Sequence, residues 1–171
     1  LDALDACYRS GINLDFIVCP DVIGQGKKSL EFSMEWAMGR LSTCPSLALV
    51  LQDGMEEKDI DSFVLSHFSH LFIGGSREWK WRTAKRWCEF AKYHKKHIHI
   101  GQCGTGSALN SASEYRADSV DSTSWTVNES WHIVEKFRNE KLLFSGNPAE
   151  KLTAIRQKKL MEKNNEDISG G

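Results

Sequence analysis

The feature that most constrains the fold is an alternation of short apolar runs with longer amphipathic stretches. Five of these runs are almost continuously apolar or β-branched, and each ends beside Gly, Asp or Pro. Uninterrupted apolarity over a few residues is typical of parallel strands that are buried on both faces. The sequence therefore predicts five strands, over residues 14–19, 47–52, 71–74, 97–101 and 119–121.

The stretches between the predicted strands repeat with the period of a helix, because apolar residues recur three and four positions apart. Alternation of strands and helices predicts an α/β fold with a parallel sheet, which is either an open sheet or part of a barrel. The predicted helical segments are residues 3–7, 30–41, 60–68 and 84–91, together with a helix that begins at Asn147-Pro148.

Length and composition are those of one ordinary globular domain. Of the 171 residues, 40% are hydrophobic and 26% are charged, which excludes a disordered or fibrous chain. We expect a single α/β domain over residues 1–163 and a polar, disordered tail over residues 164–171. The net charge of -1 does not by itself indicate a polyanionic partner. No apolar run approaches the roughly 20 residues of a transmembrane helix, so no membrane partner is expected.

The cysteines indicate the compartment and leave two kinds of site open. They are five in number and contain no CxxC pair, which favours reduced thiols in the cytoplasm. His97 and His99 lie on one side of a predicted strand with Cys103 close behind, so a metal site or a Cys–His nucleophile pair is conceivable. Histidines at this spacing in a buried strand are more often structural, and no bound metal is expected.

Polar residues and glycines follow the predicted strands, where parallel α/β folds gather their functional groups. Asp21 and Gln52 offer a carboxylate and a carboxamide, which can satisfy the donor and acceptor edge of a purine-like base. Gly74 and Gly75 allow a ligand to approach the backbone closely. Asp121 is placed to act as a nucleophile or general base. Each Asp could instead be only a turn former or a helix N-cap.

A basic segment over residues 77–96 contrasts with the near-neutral chain. It holds eight basic and two acidic residues, a local surplus of six positive charges. Trp79, Trp81 and Trp87 are interleaved with them, a combination suited to phosphate contacts and base stacking. The alternative is a solvated helix face with Trp87 in the core. The candidate nucleic-acid contacts are Arg77, Lys80, Arg82, Lys85 and Arg86.

The order of these motifs resembles the tRNA-guanine transglycosylase superfamily, over about residues 11–138. CPDVIGQG is similar to the family's strand end that holds the guanine edge, LVLQDG to its Val-Gln-Gly strand, FIGG to its Ile-Gly-Gly strand, and ADSVDSTSW to the segment with its Asp nucleophile. The wording of IGGSREWKW, HIGQCGT and ADSVDSTSW is closer to the branch that places 7-deazaguanine bases in DNA.

The resemblance implies a TIM-type barrel and a base exchange through a covalent Asp121–glycosyl intermediate. Asp21, Gln52, Gly74 and Gly75 would bind the base, and no redox cofactor or ATP is implied. The expected partners are DNA or tRNA, a 7-deazaguanine base, and either a second copy of the chain or proteins of a DNA-modification system. The alternatives are a tRNA-directed enzyme, a non-catalytic nucleic-acid-binding remnant, and a metal-dependent hydrolase that uses His97 and His99.

Three departures from the family accompany the resemblance. The family's early strands, with a further catalytic Asp, have no counterpart in the sequence, and neither does the Cys/His zinc subdomain of the tRNA enzymes. Gln102 and Cys103 replace a basic residue and a small apolar residue. A full barrel typically needs about 250 residues. We therefore expect the chain to be the carboxyl-terminal five-strand part of a barrel, with Leu1 as a truncation point.

Overall fold

Five parallel strands, paired in the order in which they follow along the chain, form the sheet in the part of the chain that the structure describes. The computed structural model describes residues 2–144. Each strand pairs in parallel with the next, in the order β1-β2-β3-β4-β5. The strands are β1 Ile17–Val18, β2 Leu47–Leu51, β3 His70–Ile73, β4 His97–Ile100 and β5 Ser119–Val120.

This strand order distinguishes a barrel from an open doubly wound sheet. In the open sheet the strand order reverses at one point, and helices cover both faces. Here the order does not reverse, so crossovers of one hand place the connecting helices on one face of the sheet and leave the other face concave. The sheet is a curled half-barrel, which confirms the predicted α/β class and the partial barrel.

Seven α-helices and one short 3₁₀ helix occur within residues 2–144. The first four α-helices confirm the predicted helical segments, whereas the last three were not predicted. The α-helices are α1 Asp2–Arg9, α2 Gly26–Met38, α3 Ser62–Ser66, α4 Arg77–Tyr93, α5 Gly106–Glu114, α6 Ser124–Val127 and α7 Trp131–Phe144, and the 3₁₀ helix is Glu57–Asp59.

The core lies between the sheet and the helices on its convex face. Alternate side chains of a strand point to opposite faces, and one face of β2, β3 and β4 is wholly apolar. Six of its members are completely buried: Leu49, Leu51, Leu71, Ile73, Ile98 and Ile100. The opposite, concave face carries Phe72 and three histidines, His70, His97 and His99, whose rings form stacked pairs. Within the sheet, polar side chains therefore lie on the concave face and at the strand ends.

Helix α4 combines a buried face with an exposed basic face. Its N-cap is Ser76, whose hydroxyl accepts a hydrogen bond from the Trp79 amide at 3.4 Å, which satisfies one of the free N–H groups of the first turn. Trp79 and Trp87 are buried against the sheet, with 6% and 0% of their surfaces exposed. Both rings are therefore part of the core, and the expectation that they stack on bases is wrong.

The chain divides into two units at Thr123. The first, Leu1–Thr123, contains the whole sheet. The second begins at Ser124, and its described part contains α6 and α7. The ring centroids of Trp125 and Trp131 lie 6.1 Å apart in this unit. The predicted single domain over residues 1–163 extends beyond the described residues. The helix predicted to begin at Asn147 and the predicted tail lie outside them as well. Within residues 2–144, no helix has the length and apolarity needed to cross a bilayer.

Candidate functional site

A cavity of about 430 Å³ lies where the carboxyl ends of the strands meet. It is within the size range of sites for small organic ligands, about 300–1,000 Å³. All five residues predicted at the strand ends for base binding and catalysis line it. The lining residues are Val18, Asp21, Ile23, Val50, Gln52, Phe72, Gly74, Gly75, Lys80, Gly101, Gln102, Asp121 and Thr123.

On one wall, Asp21 and Gln52 are bonded to each other. The Nε2 of Gln52 donates to the Oδ2 of Asp21 at 2.5 Å, and the Oε1 of Gln52 accepts from the Gly24 amide at 3.1 Å. Because Gln52 is only 3% exposed, these contacts fix its carboxamide in one orientation. The loop after β1 is held in turn by the Ser33 hydroxyl, which donates to the Pro20 carbonyl at 2.9 Å.

Close packing beside Asp21 and Gln52 requires glycine at positions 74 and 75. A Cβ on Gly74 would lie 2.9 Å from the Cγ1 of Val50. Gly75 has a φ of +71°, and a Cβ there would lie 2.6 Å from the Oδ2 of Asp53 and 2.8 Å from the ring of Trp79. Any other residue at position 75 would therefore be strained in its backbone and would also clash.

Asp53 is a supporting residue that joins the end of β2 to the start of α4. Its carboxylate accepts hydrogen bonds from the Ser76 amide at 2.7 Å and from the Ser76 hydroxyl at 2.5 Å. Burial acts to raise the pKa of Asp53, but the Ser76 contacts outweigh it and hold the pKa below its usual value. This pair fixes the position of the helix end beside Gly75.

Asp121 is held by hydrogen bonds to both of its carboxylate oxygens. The Nε2 of His99 lies 3.1 Å from Oδ2, and the Gln102 amide donates to Oδ1 at 2.8 Å. The His99 contact is the main cause of a lowered Asp121 pKa, which burial opposes and to which the Gln102 amide and the Lys80 charge add. Asp121 is therefore an ionised, oriented carboxylate at neutral pH, as a nucleophile must be.

His99 continues this chain of contacts away from the cavity. Its Nδ1 lies 2.7 Å from the hydroxyl of Ser119, and its ring stacks on Phe72 at 4.7 Å between centroids. With only 7% of its surface exposed, it has a fixed orientation behind Asp121. From the sequence, His99 was expected only to lie on a strand next to the one that ends at Asp121. The parallel register that pairs His99 with Ser119 brings its ring to the carboxylate.

Lys80 differs from its predicted role. It was expected among the basic surface residues, but it is 2% exposed and lines the cavity. Its ammonium donates to the Gly101 carbonyl at 2.7 Å and to the Oε1 of Gln102 at 3.5 Å. Burial lowers the pKa of Lys80, while the neighbouring Cys103 and Asp121 act to raise it. The prediction of Lys80 as an exposed phosphate contact is wrong.

The other four predicted contacts form the exposed basic face of α4, which comprises Arg77, Arg82, Lys85 and Arg86. Two of them have acidic neighbours: Arg82 lies 3.9 Å from Glu78, and Arg86 lies 3.3 Å from Glu57. Ion pairs this exposed contribute little to stability.

The alternative sites at the end of β4 find little support. The Cys103 thiol is buried and donates to the Ile100 carbonyl at 3.4 Å, and burial raises its pKa to about 11. It is therefore protonated at neutral pH and a poor nucleophile. Among residues 2–144, no cluster of three or more His, Cys, Asp or Glu side chains is arranged to hold a metal ion. Thr105 serves as the N-cap of α5, where it accepts from the Ala108 amide.

Comparison with protein-family models, with curated proteins and with solved structures returned no significant match to this chain. By its fold and its site, the described part of the chain is an α/β half-barrel with a polar cavity at its strand ends.

Proposed function

We propose that this protein is a transglycosylase that exchanges guanine in a nucleic acid for a 7-deazaguanine base, with DNA as the favoured polymer. The observation that carries the proposal is the convergence of two groups in one cavity. An ionised, oriented carboxylate, Asp121, faces the same space as the bonded pair of Asp21 and Gln52. The first can attack a sugar carbon, and the second can recognise a purine edge.

Recognition of the base would use one wall of the cavity. The Asp21 carboxylate would accept from the N1–H and the exocyclic amine of guanine, while Gln52 and the Gly75 amide would donate toward O6. Each side-chain amide nitrogen carries two N–H groups, so Gln52 can donate to the base while it keeps its contact with Asp21. A 7-deazaguanine presents the same edge, which explains how one cavity would accept both the leaving and the incoming base.

The chemistry would resemble that of retaining glycosidases. Asp121 would attack C1′ of the target nucleoside, and a covalent glycosyl–enzyme intermediate would form through an oxocarbenium-like transition state. His99 and the Gln102 amide would keep the carboxylate oriented for this attack. The incoming base would then take back the sugar in the vacated cavity.

Access to the polymer would depend on the basic face of α4. Arg77, Arg82, Lys85 and Arg86 lie on the helix that starts beside Gly75, close to the cavity. Such a surface binds phosphates without reading sequence. The target guanosine must leave the helical stack, at an expense of a few kcal/mol that these contacts would offset.

The proposal is tested by incubating the protein with duplex DNA or tRNA and labelled 7-deazaguanine. We expect label in the DNA, and a protein–DNA adduct that survives denaturation. The Asp121→Asn variant should form neither, whereas Asp5→Asn, which changes an exposed carboxylate on α1, should match the unaltered protein. Exchange that persists in Asp121→Asn would contradict the assigned nucleophile, and label in tRNA alone would select the tRNA-directed alternative.

A second candidate is a nucleic-acid-binding protein without turnover. Within residues 2–144 the cavity is built from five strand ends, whereas a complete TIM-barrel enzyme builds its site from eight, and a cavity of five strand ends could bind a base without turnover. This candidate predicts that guanine or DNA binds and that neither label nor adduct appears.

A further inference from the structure

Among residues 2–144, Lys80 is the one cation that lines the cavity. Its side chain enters from α4, and its ammonium lies 2.7 Å from the Gly101 carbonyl and 3.5 Å from the Oε1 of Gln102. An ammonium has three N–H donors. The two contacts therefore leave a third donor for a molecule in the cavity, and the longer contact can be exchanged for a better one.

The proposed reaction needs a group of this charge. When the bond between C1′ and N9 breaks, the electron pair stays on the purine, which leaves as an anion unless it is neutralised. In the proposed reaction Asp121 attacks C1′ and Asp21 accepts hydrogen bonds from the base edge, so both carboxylates already have other roles. His99 does not line the cavity, and its Nε2 is bonded to Asp121.

We infer that Lys80 is the general acid and base of the exchange, an inference that rests on the proposed function. In the first half-reaction the Asp121 carboxylate forms a bond to C1′, the C1′–N9 bond breaks, and the Lys80 ammonium gives a proton to the purine. In the second half-reaction the neutral amine takes the N9 proton of the incoming base. N9 then bonds to C1′ and Asp121 leaves as a carboxylate, so all charges return to their starting state.

The surroundings of Lys80 suit proton transfer in both directions. Burial lowers its pKa, which makes the proton easier to give, while the nearby Asp121 carboxylate keeps the ammonium charged before the reaction. Gln102 has a φ of +61°, an unusual backbone for a non-glycine residue. In this conformation its amide contacts Asp121 and its side chain contacts Lys80, so one residue positions both reacting groups.

The test compares two leaving bases in the first half-reaction, measured as base release in a single turnover on duplex DNA. Guanine needs a proton as it leaves, whereas N7-methylguanine already carries the positive charge and leaves as a neutral base. We expect Lys80→Met to slow guanine release by about 10²–10⁴-fold, the usual contribution of a positioned acid, and to leave N7-methylguanine release unchanged. The control Lys28→Met, an exposed lysine on α2, should release both bases at the normal rate.

Two further variants keep the result independent of folding defects. Lys80→Arg retains the charge but does not release a proton at neutral pH, so it should also release guanine slowly and N7-methylguanine normally. Lys80→Ala should be rescued by added ethylamine, with a rate that depends on the pKa of the amine used. Equal losses for both bases, or no loss for either, would overturn the proposed role of Lys80 and leave the proposed function standing. If the unaltered protein performed no exchange, or if the Asp121→Asn variant remained active, the proposed function would be overturned together with the role of Lys80.

Discussion

The Gly75→Ala variant tests whether the cavity wall at Gly75 has room for a side chain. Two effects act together at this position. The φ of +71° disfavours any residue with a Cβ, and that Cβ would meet the Asp53 carboxylate at 2.6 Å and the Trp79 ring at 2.8 Å. Trp79 is buried and Asp53 is bonded to Ser76, so neither neighbour can move without losing contacts.

The size of the effect follows from these two parts. A left-handed backbone conformation disfavours an alanine by about 1–2 kcal/mol, and the smaller entropy of the unfolded chain returns about 0.4–1 kcal/mol. Displacement of Asp53 weakens its bonds to Ser76; hydrogen bonds to a charged group contribute about 1.5–3 kcal/mol when buried, and less in this exposed pair. We therefore expect Gly75→Ala to lower the free energy of unfolding by about 2–4 kcal/mol.

Gly11→Ala is the matched control, because Gly11 has a φ of +68° and no atom within 4 Å of an added Cβ. It isolates the backbone contribution, which should be below about 1.5 kcal/mol. Urea unfolding followed by Trp fluorescence measures both variants under the same conditions. If Gly75→Ala were no more destabilising than Gly11→Ala, the close contacts with Asp53 and Trp79 would not exist as described.

Two other predictions concern charge. His99→Asn removes the main cause of the lowered Asp121 pKa; a carboxylate with a depressed folded-state pKa contributes stability above its unfolded pKa and loses it as pH falls through the folded pKa. The acid limb of the exchange rate should therefore move to higher pH in this variant, and the stability that the protein loses on acidification should become smaller; an unmoved rate limb in pH titrations would contradict the contact. Arg77→Gln and Arg82→Gln should each reduce the slope of log K for DNA against log salt by about 1. Lys27→Gln, on α2, should leave the slope unchanged, and equal slopes for all three in fluorescence-anisotropy titrations would exclude the basic face of α4.

The strands could be predicted because burial on both faces leaves an unbroken apolar run. Four of the five predicted strands match the structure to within one or two residues at either end. β1 is shorter than predicted, since only Ile17–Val18 pair with β2. Helix α5 was missed because its sequence, GSALNSASE, buries only Leu109 and Ala112. Two buried residues give too weak a period to separate a helix from a polar loop.

From the sequence, the site could be predicted only as the group of residues that follow the strands. Parallel strands bring their carboxyl ends to one edge, so Asp21, Gln52 and Asp121 were expected together. The bond between Asp21 and Gln52, and the bond of Asp121 to His99, depend on register and rotamers that sequence spacing does not fix. Lys80 was misassigned because its charge suggested solvent, although it lies four residues before Ala84, on the buried stripe of α4. The position of Lys80 in the helical period predicts its burial better than its charge does.

The burial of Lys80 changes how the charge of this region is understood. A surplus of basic residues on α4 invites the interpretation that all of them meet a polyanion, yet the helix directs one ammonium inward and five cations outward. The inward charge lies near the Asp121 carboxylate and donates to the Gly101 carbonyl, and a buried ammonium is retained only where such partners compensate it. The same helix thus provides an outer surface suited to a phosphate backbone and an inner group suited to a purine. Because both lie on one rigid element, a polymer bound outside would be held in a fixed relation to the base bound inside.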